Sequence, residues 1–221
     1  MSKRDHANTQ RERLAYEAAR IMVEQGLNDF ESARRKAAER TGILDRRQWP
    51  SNERLKEAVL MQRQLFWGAG HDEASRSLKR EAVQAMWMLS EFEPRLIGST
   101  LHDLGDRQNG VELFLFADRP EDVLFTLADQ GIPWREGERI LRYTNGQRLA
   151  HPAFGFLAGE IPFELIVLPV RARRQPPLDP ITDRPGLGAD LAAVERMLAR
   201  EDQGTPGVPQ SAPCQRLEIG R

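Results

Sequence analysis

Apolar residues recur at helical spacing up to about residue 93 and at strand spacing beyond it, and this change of period divides the chain. Ala15, Ala18, Ala19, Met22 and Val23 follow a 3.6-residue repeat that Gly26 stops. Asp29 reads as the N-cap of a second helix, FESARRKAAERT, ending at Gly42. A third helix is expected after Trp49-Pro50-Ser51, with Leu55, Ala58, Val59 and Leu65 on its apolar side, running to Phe66-Trp67. A fourth spans about Asp72 to Phe92, with Leu78, Ala82, Val83, Ala85, Met86 and Leu89 as its buried stripe.

The second half alternates differently. Arg95-Leu96-Ile97 is a short apolar run ending in Gly98-Ser99, and after a turn-rich loop Val111 to Phe116 is rich in β-branched and aromatic residues. Arg119-Pro120-Glu121-Asp122 opens a helix that buries Val123, Leu124, Leu127 and Ala128 before Gly131. Glu138 to Tyr143 then reads as a strand, Asn145-Gly146 as a two-residue hairpin turn, Ala153 to Leu157 as the return strand and Pro162 to Leu168 as the next. Leu187 to Leu198 suits one short helix. The layout is α+β: a helical module over 1–92, a domain over 93–200 built on a mixed or antiparallel sheet with flanking helices, and a disordered tail over 201–221.

Composition narrows the class. Lysine and arginine number 32 against 33 acids, so the net charge of −1 gives no global attraction to nucleic acid or to an anionic membrane. No apolar run approaches the roughly 18 residues that cross a bilayer, and the N-terminus lacks the apolar core of a secretory signal. The single cysteine, Cys214, allows no internal disulfide or thiolate metal cluster, and a cytoplasmic location without a membrane partner is the expectation. The four histidines are scattered without metal-ligand spacing.

The chemistry-bearing stretch is PRLIGSTLHDLGDRQNGVELFLF, from Pro94 to Phe116. Its spacing resembles the signature of the nucleotidyltransferase superfamily that includes DNA polymerase beta, in which Gly-Ser after a strand precedes an Asp-x-Asp pair on the next strand. Here the first acid position holds Gly110 and the second holds Glu112, while Glu164 in FELIVL matches the carboxylate of a later strand. The resemblance implies that Glu112 and Glu164 are catalytic and hold Mg²⁺, and that Gly98 and Ser99 contact the phosphates of a nucleoside triphosphate. Carboxylates of this kind hold divalent ions that neutralise the attacking and leaving oxygens of an in-line transfer. Arg173 and Arg174, in the basic cluster after the Glu164 strand, are candidates to clamp a triphosphate or acceptor phosphate. On the structural reading, Gly-Ser is a plain turn and Glu112 lies on the solvent face of its strand.

Over about residues 10–200 the chain also resembles a family of small bacterial proteins that join a helical module to a nucleotidyltransferase-like domain. Glu17 to Met22, Asp29-Phe30, Ala33 to Arg40 and Leu113 to Asp118 carry that likeness. Two functions follow from it: an enzyme transferring a nucleotidyl group from a triphosphate to an unidentified RNA or protein acceptor, or a catalytically inactive relative that binds nucleotide or RNA and serves in regulation. Arg34, Arg35, Lys36 and Arg40, with Arg46 and Arg47 beyond, offer a phosphate-backbone surface or simply a solvated helical face. An ATP-dependent ligase of the Mur type is disfavoured, because no stretch fits the P-loop GxxxxGK[ST].

Overall fold

In the computed structural model, which describes residues 3–67 and 70–204, β2 (Val111–Phe116) is buried along its whole length. It is covered on both sides because it lies between β1 (Arg95–Ile97), antiparallel to it, and β5 (Ile161–Leu168), parallel to it. β4 (Arg148–Ala158) and β3 (Arg135–Arg142) complete a five-stranded mixed sheet in the order β1-β2-β5-β4-β3. The helices among the described residues are α1 (Lys3–Gln25), α2 (Phe30–Thr41), α3 (Asn52–Trp67), α4 (Gly70–Met88), the single turn α5 (Gly98–Leu101), α6 (Pro120–Asp129) and α7 (Leu191–Gly204). The architecture is α+β with an N-terminal helical region.

Strand alternation sorts the sheet into two faces. Val111, Leu113 and Leu115 of β2, Phe163, Leu165 and Val167 of β5, and Phe154 and Phe156 of β4 pack against α4, α6 and α7. Phe156 and Phe163 stack there with centroids 5.0 Å apart. The opposite face carries Phe114, Phe116, Ile166, Leu168, Ala153 and Leu141, together with Glu112 and Glu164. A separate core joins α1, α2 and α3 through Leu14, Ala18, Met22, Phe30, Ala37, Leu55 and Val59. The period change near residue 93 marks where strands begin, whereas the packing boundary falls between α3 and α4, since α4 belongs to the sheet's core.

The helical layer is fastened to the sheet by loops. Leu104 and Ile181 enter its core, the Phe30 amide donates to the Pro180 carbonyl at 3.0 Å, and Asn52 Nδ2 donates to the Thr182 carbonyl at 2.7 Å. Arg63, 1% exposed, donates to Asp106 Oδ2 at 2.9 Å, and the same carboxylate accepts from the amides of Gln108 and Asn109. Asp106→Ala removes a counter-charge of a buried arginine and the organiser of the loop before β2. It is expected to cost about 3 kcal/mol, read as a fall in the urea midpoint at constant slope.

Several boundaries differ from the sequence pattern. β3 begins at Arg135 and β4 at Arg148, earlier than the alternation shows, because β3 is an edge strand whose exposed positions are charged. Pro152 interrupts the β4 pattern without breaking the strand. It pairs with Glu138 just before β5 pairing begins at Ala153, so its missing N–H costs no bond to a second neighbour. The hairpin is closed by a five-residue loop, Tyr143 to Gln147, rather than by a two-residue turn; the Tyr143 amide donates to the Gln147 carbonyl at 3.0 Å. α7 starts after Asp190, whose carboxylate accepts from the Ala193 amide, and continues to Gly204, past the expected start of the tail. The remaining tail with Cys214 lies outside the described residues.

Candidate functional site

Glu112 and Glu164 are register partners on neighbouring parallel strands, so their side chains leave the same face of the sheet roughly 5 Å apart at the backbone. A third residue joins them. Arg139 of β3 donates from Nη2 to Glu112 Oε1 at 2.6 Å and from Nη1 to Glu164 Oε2 at 3.2 Å. Gly155, opposite Glu164 on β4, contributes no side chain to the lane that Arg139 crosses.

Glu112 is 4% exposed. The solvent-face reading of this strand position is therefore incorrect, because β2 is an interior strand whose second face is covered as well. Burial pushes the Glu112 carboxyl up to about 7 and the neighbouring Glu164 charge adds to this, while Arg139 and a hydrogen bond with Asn28 act in the other direction. A 2.6 Å bond to a guanidinium would by itself hold a carboxylate low, and here desolvation outweighs it.

The glycines beside this carboxylate have opposite roles. Gly98 follows β1 with φ +68°, and a Cβ at that position would lie 1.9 Å from Glu112 Oε2. Its bare backbone thus makes room for the Glu112 carboxylate. Gly110 has φ +65°, and a Cβ there would lie 1.9 Å from the Pro162 carbonyl oxygen. An acid at this position is excluded by the backbone itself, and the Gly110 carbonyl is held by Thr100 Oγ1 at 2.8 Å. Ser99 is 3% exposed, and its carbonyl accepts from the amides of His102 and Leu104.

The bridged carboxylates stand at the inner end of a cleft of about 520 Å³ between the α1–α2 turn and the sheet. Gly26 to Asp29, Arg35, Ile97, Phe114, Arg142 and Arg148 contribute to its walls. Asp29 pairs with Arg142, Glu31 with Arg46 and Glu112 with Arg139. That leaves one wall carboxylate, Glu138, against two guanidiniums, Arg35 and Arg148, with no ion pair among the described residues.

The other sequence candidates are placed elsewhere. Arg173 pairs with Glu93 at 2.9 Å and lies over the Phe116 ring at 4.9 Å, at the far end of β2 from Glu112. Arg174 is exposed on the same short 3₁₀ turn, Val170–Arg174. Neither forms part of the cleft wall, because β5 carries its C-terminal residues away from the Glu164 end. The basic run on α2 is also dispersed: Arg34 is buried and donates to Asn52, Lys36 donates to Gln25, Arg40 pairs with Glu17, and Arg35 alone of these reaches the cleft.

Family models, curated proteins and solved structures give no match to this chain.

The Mg²⁺ implied by the nucleotidyltransferase resemblance can be tested against these residues. Among the described residues, no three His, Cys, Asp or Glu side chains converge as a metal-ligating group. The first acid position is sterically closed, and a guanidinium stands between the remaining two carboxylates, so the arrangement present does not fit a two-ion centre. Sequence reasoning missed Arg139 and Asn28. Arg139 was legible in principle, since strand alternation puts it on the same face as the buried Leu141, where a charged residue needs a partner.

Proposed function

We propose that this chain is a nucleotide- or RNA-binding relative of the nucleotidyltransferases that holds its ligand without transferring it. The observation that carries the reading is the Glu112–Arg139–Glu164 bridge, which fills with a cation the place where a transferase keeps ions. Arg35 and Arg148 on the cleft wall supply the charges for ligand phosphates, and the cleft volume of about 520 Å³ falls within the size range of small-molecule sites. Mg²⁺ has no role in this reading.

Binding of ATP and of a short single-stranded RNA is measured by calorimetry in EDTA. Saturable binding of at least one is expected, weakened at least about tenfold in an Arg35→Ala/Arg148→Ala variant, which changes only surface groups. Metal-dependent incorporation of labelled nucleotide that is lost in Glu112→Gln/Glu164→Gln would establish the transferase instead. Absence of binding by both ligands would remove the binding reading.

A further inference from the structure

Leu178 and Pro180 line the cleft, whereas Asp179 between them lines a second hollow together with His102. The Asp179 carboxylate accepts from the amides of Ile181 at 2.9 Å and Thr182 at 2.7 Å and from the Thr182 hydroxyl at 3.1 Å, all through Oδ1. His102 Nε2 stands 3.1 Å from both carboxylate oxygens. Burial would raise this carboxyl, but His102 and the two amides outweigh it and hold it below the ordinary aspartate range. Asp179 is therefore an anion that only accepts, and Nε2 carries the hydrogen. The other ring nitrogen, Nδ1, makes no hydrogen bond among the described residues and is not enclosed, so it keeps a lone pair open to solvent.

Two hollows meet at this histidine. The smaller, of about 180 Å³, has Asn52, Glu53 and Lys56 of α3 on its wall, and the larger, of about 390 Å³, has the apolar Leu101, Pro185, Ala189 and Met197. Thr182 and Arg184 belong to both, as His102 does. Lys56 and Arg184 have no ion pair among the described residues. Of the acids around them, Asp179 is committed to His102 and Asp183 pairs with Arg142. Glu53 is exposed at the start of α3, where its own backbone and Ser51 hold its carboxyl low. Two unpaired cations thus share a wall with one exposed carboxylate and one fixed imidazole.

We infer that His102, Lys56 and Arg184 form a binding site for a phosphate monoester whose apolar ester group rests in the larger hollow against Leu101 and Met197. Lys56 and Arg184 supply charge-assisted hydrogen bonds to two phosphate oxygens. The third contact, to Nδ1, needs a proton. A phosphate monoester takes up its second proton at about pH 6, and that O–H donates to Nδ1 while Asp179 keeps the ring from turning. A carboxylate ligand loses its proton at about pH 4 and has none to offer Nδ1, which favours the phosphate. The site lies behind the cleft wall and stands apart from whether the cleft takes a nucleotide.

The test follows the His102 ring nitrogens of the full chain, labelled with ¹⁵N, by long-range NMR correlation. At about pH 8 the free protein is expected to show the Nε2–H tautomer, and an Nδ1–H ring overturns the site. Phenyl phosphate and inorganic phosphate are then titrated at about pH 6.5. Saturable phenyl phosphate binding that shifts Nδ1 is expected, about fivefold or more tighter than inorganic phosphate because the ring buries apolar surface. No shift at Nδ1, or equal affinity for the two probes, overturns the monoester site. Lys56→Ala/Arg184→Ala is expected to weaken phenyl phosphate at least about tenfold, and unchanged affinity counts against the inference. Arg35→Ala/Arg148→Ala, which alters the cleft, is expected to leave the Nδ1 shift intact; its loss there would place the probe in the cleft and remove the second site.

Discussion

Gly110→Asp, which would restore the acid that a nucleotidyltransferase carries at this position, is expected to unfold the protein rather than to create a metal site. The residue has φ +65°, and its new Cβ would stand 1.9 Å from the Pro162 carbonyl, a backbone atom on β5 that cannot step aside. Left-handed strain at a non-glycine residue costs on the order of 1–3 kcal/mol. The collision and the added charge raise the loss to about 4 kcal/mol or more, in the range reserved for severe core defects. Gly131→Ala is the control, because Gly131 has φ +67° but no atom within 4 Å of where a Cβ would stand. It should lose only the strain component. Urea unfolding of Gly110→Asp, Gly110→Ala and Gly131→Ala separates the two causes, and a stable Gly110→Asp would refute the collision.

Arg139→Ala is the second large effect, and its size should depend on pH. Removing the guanidinium leaves Glu112 buried beside Glu164 without a counter-charge, which pushes the Glu112 carboxyl further above about 7. Deleting one partner of a buried pair costs about 3–5 kcal/mol. Arg139 is 36% exposed, so solvent screening reduces this to about 2–3 kcal/mol at about pH 8.5. At about pH 5.5 Glu112 is protonated, no bare anion is left behind, and the loss should shrink to about 1 kcal/mol.

The native protein carries the same sign. Glu112's folded value of about 7 lies above its ordinary 4.5, so its contribution is greatest below 4.5, declines as pH rises toward 7 and is flat above. The rise from 4.5 to about 7 corresponds to about 3 kcal/mol. Glu112→Gln should flatten this dependence and reduce the cost of Arg139→Ala on the alkaline side. An Arg139→Ala loss that stays at its alkaline size at about pH 5.5 would show that Glu112 is ionised throughout.

Much of the fold was legible because burial imposes a period. Met22, Leu55 and Leu78 repeat at helical spacing and are buried, and Asp29, Gly42 and Pro120 mark ends by capping and backbone geometry. The edge strand β3 was read short because its residues face solvent and do not need to alternate. The site was partly legible: Glu112 and Glu164 were singled out, and register places them side by side. Arg173 and Arg174 were adjacent to Glu164 in sequence, but a strand carries the chain away by about 3.3 Å per residue, so proximity along the chain ran against proximity in space.

The sequence by itself determined the class of the fold, the sheet-forming segments and the two carboxylates, since each follows from local periodicity and residue type. Only the tertiary structure decided what those carboxylates do. Their cation comes from β3, their amide partner from the α1–α2 turn, and the barrier to a further acid from the Pro162 carbonyl. These are contacts between segments far apart in the chain, set by strand order and loop packing. A pattern of spacings along one strand does not encode which distant charge arrives beside it.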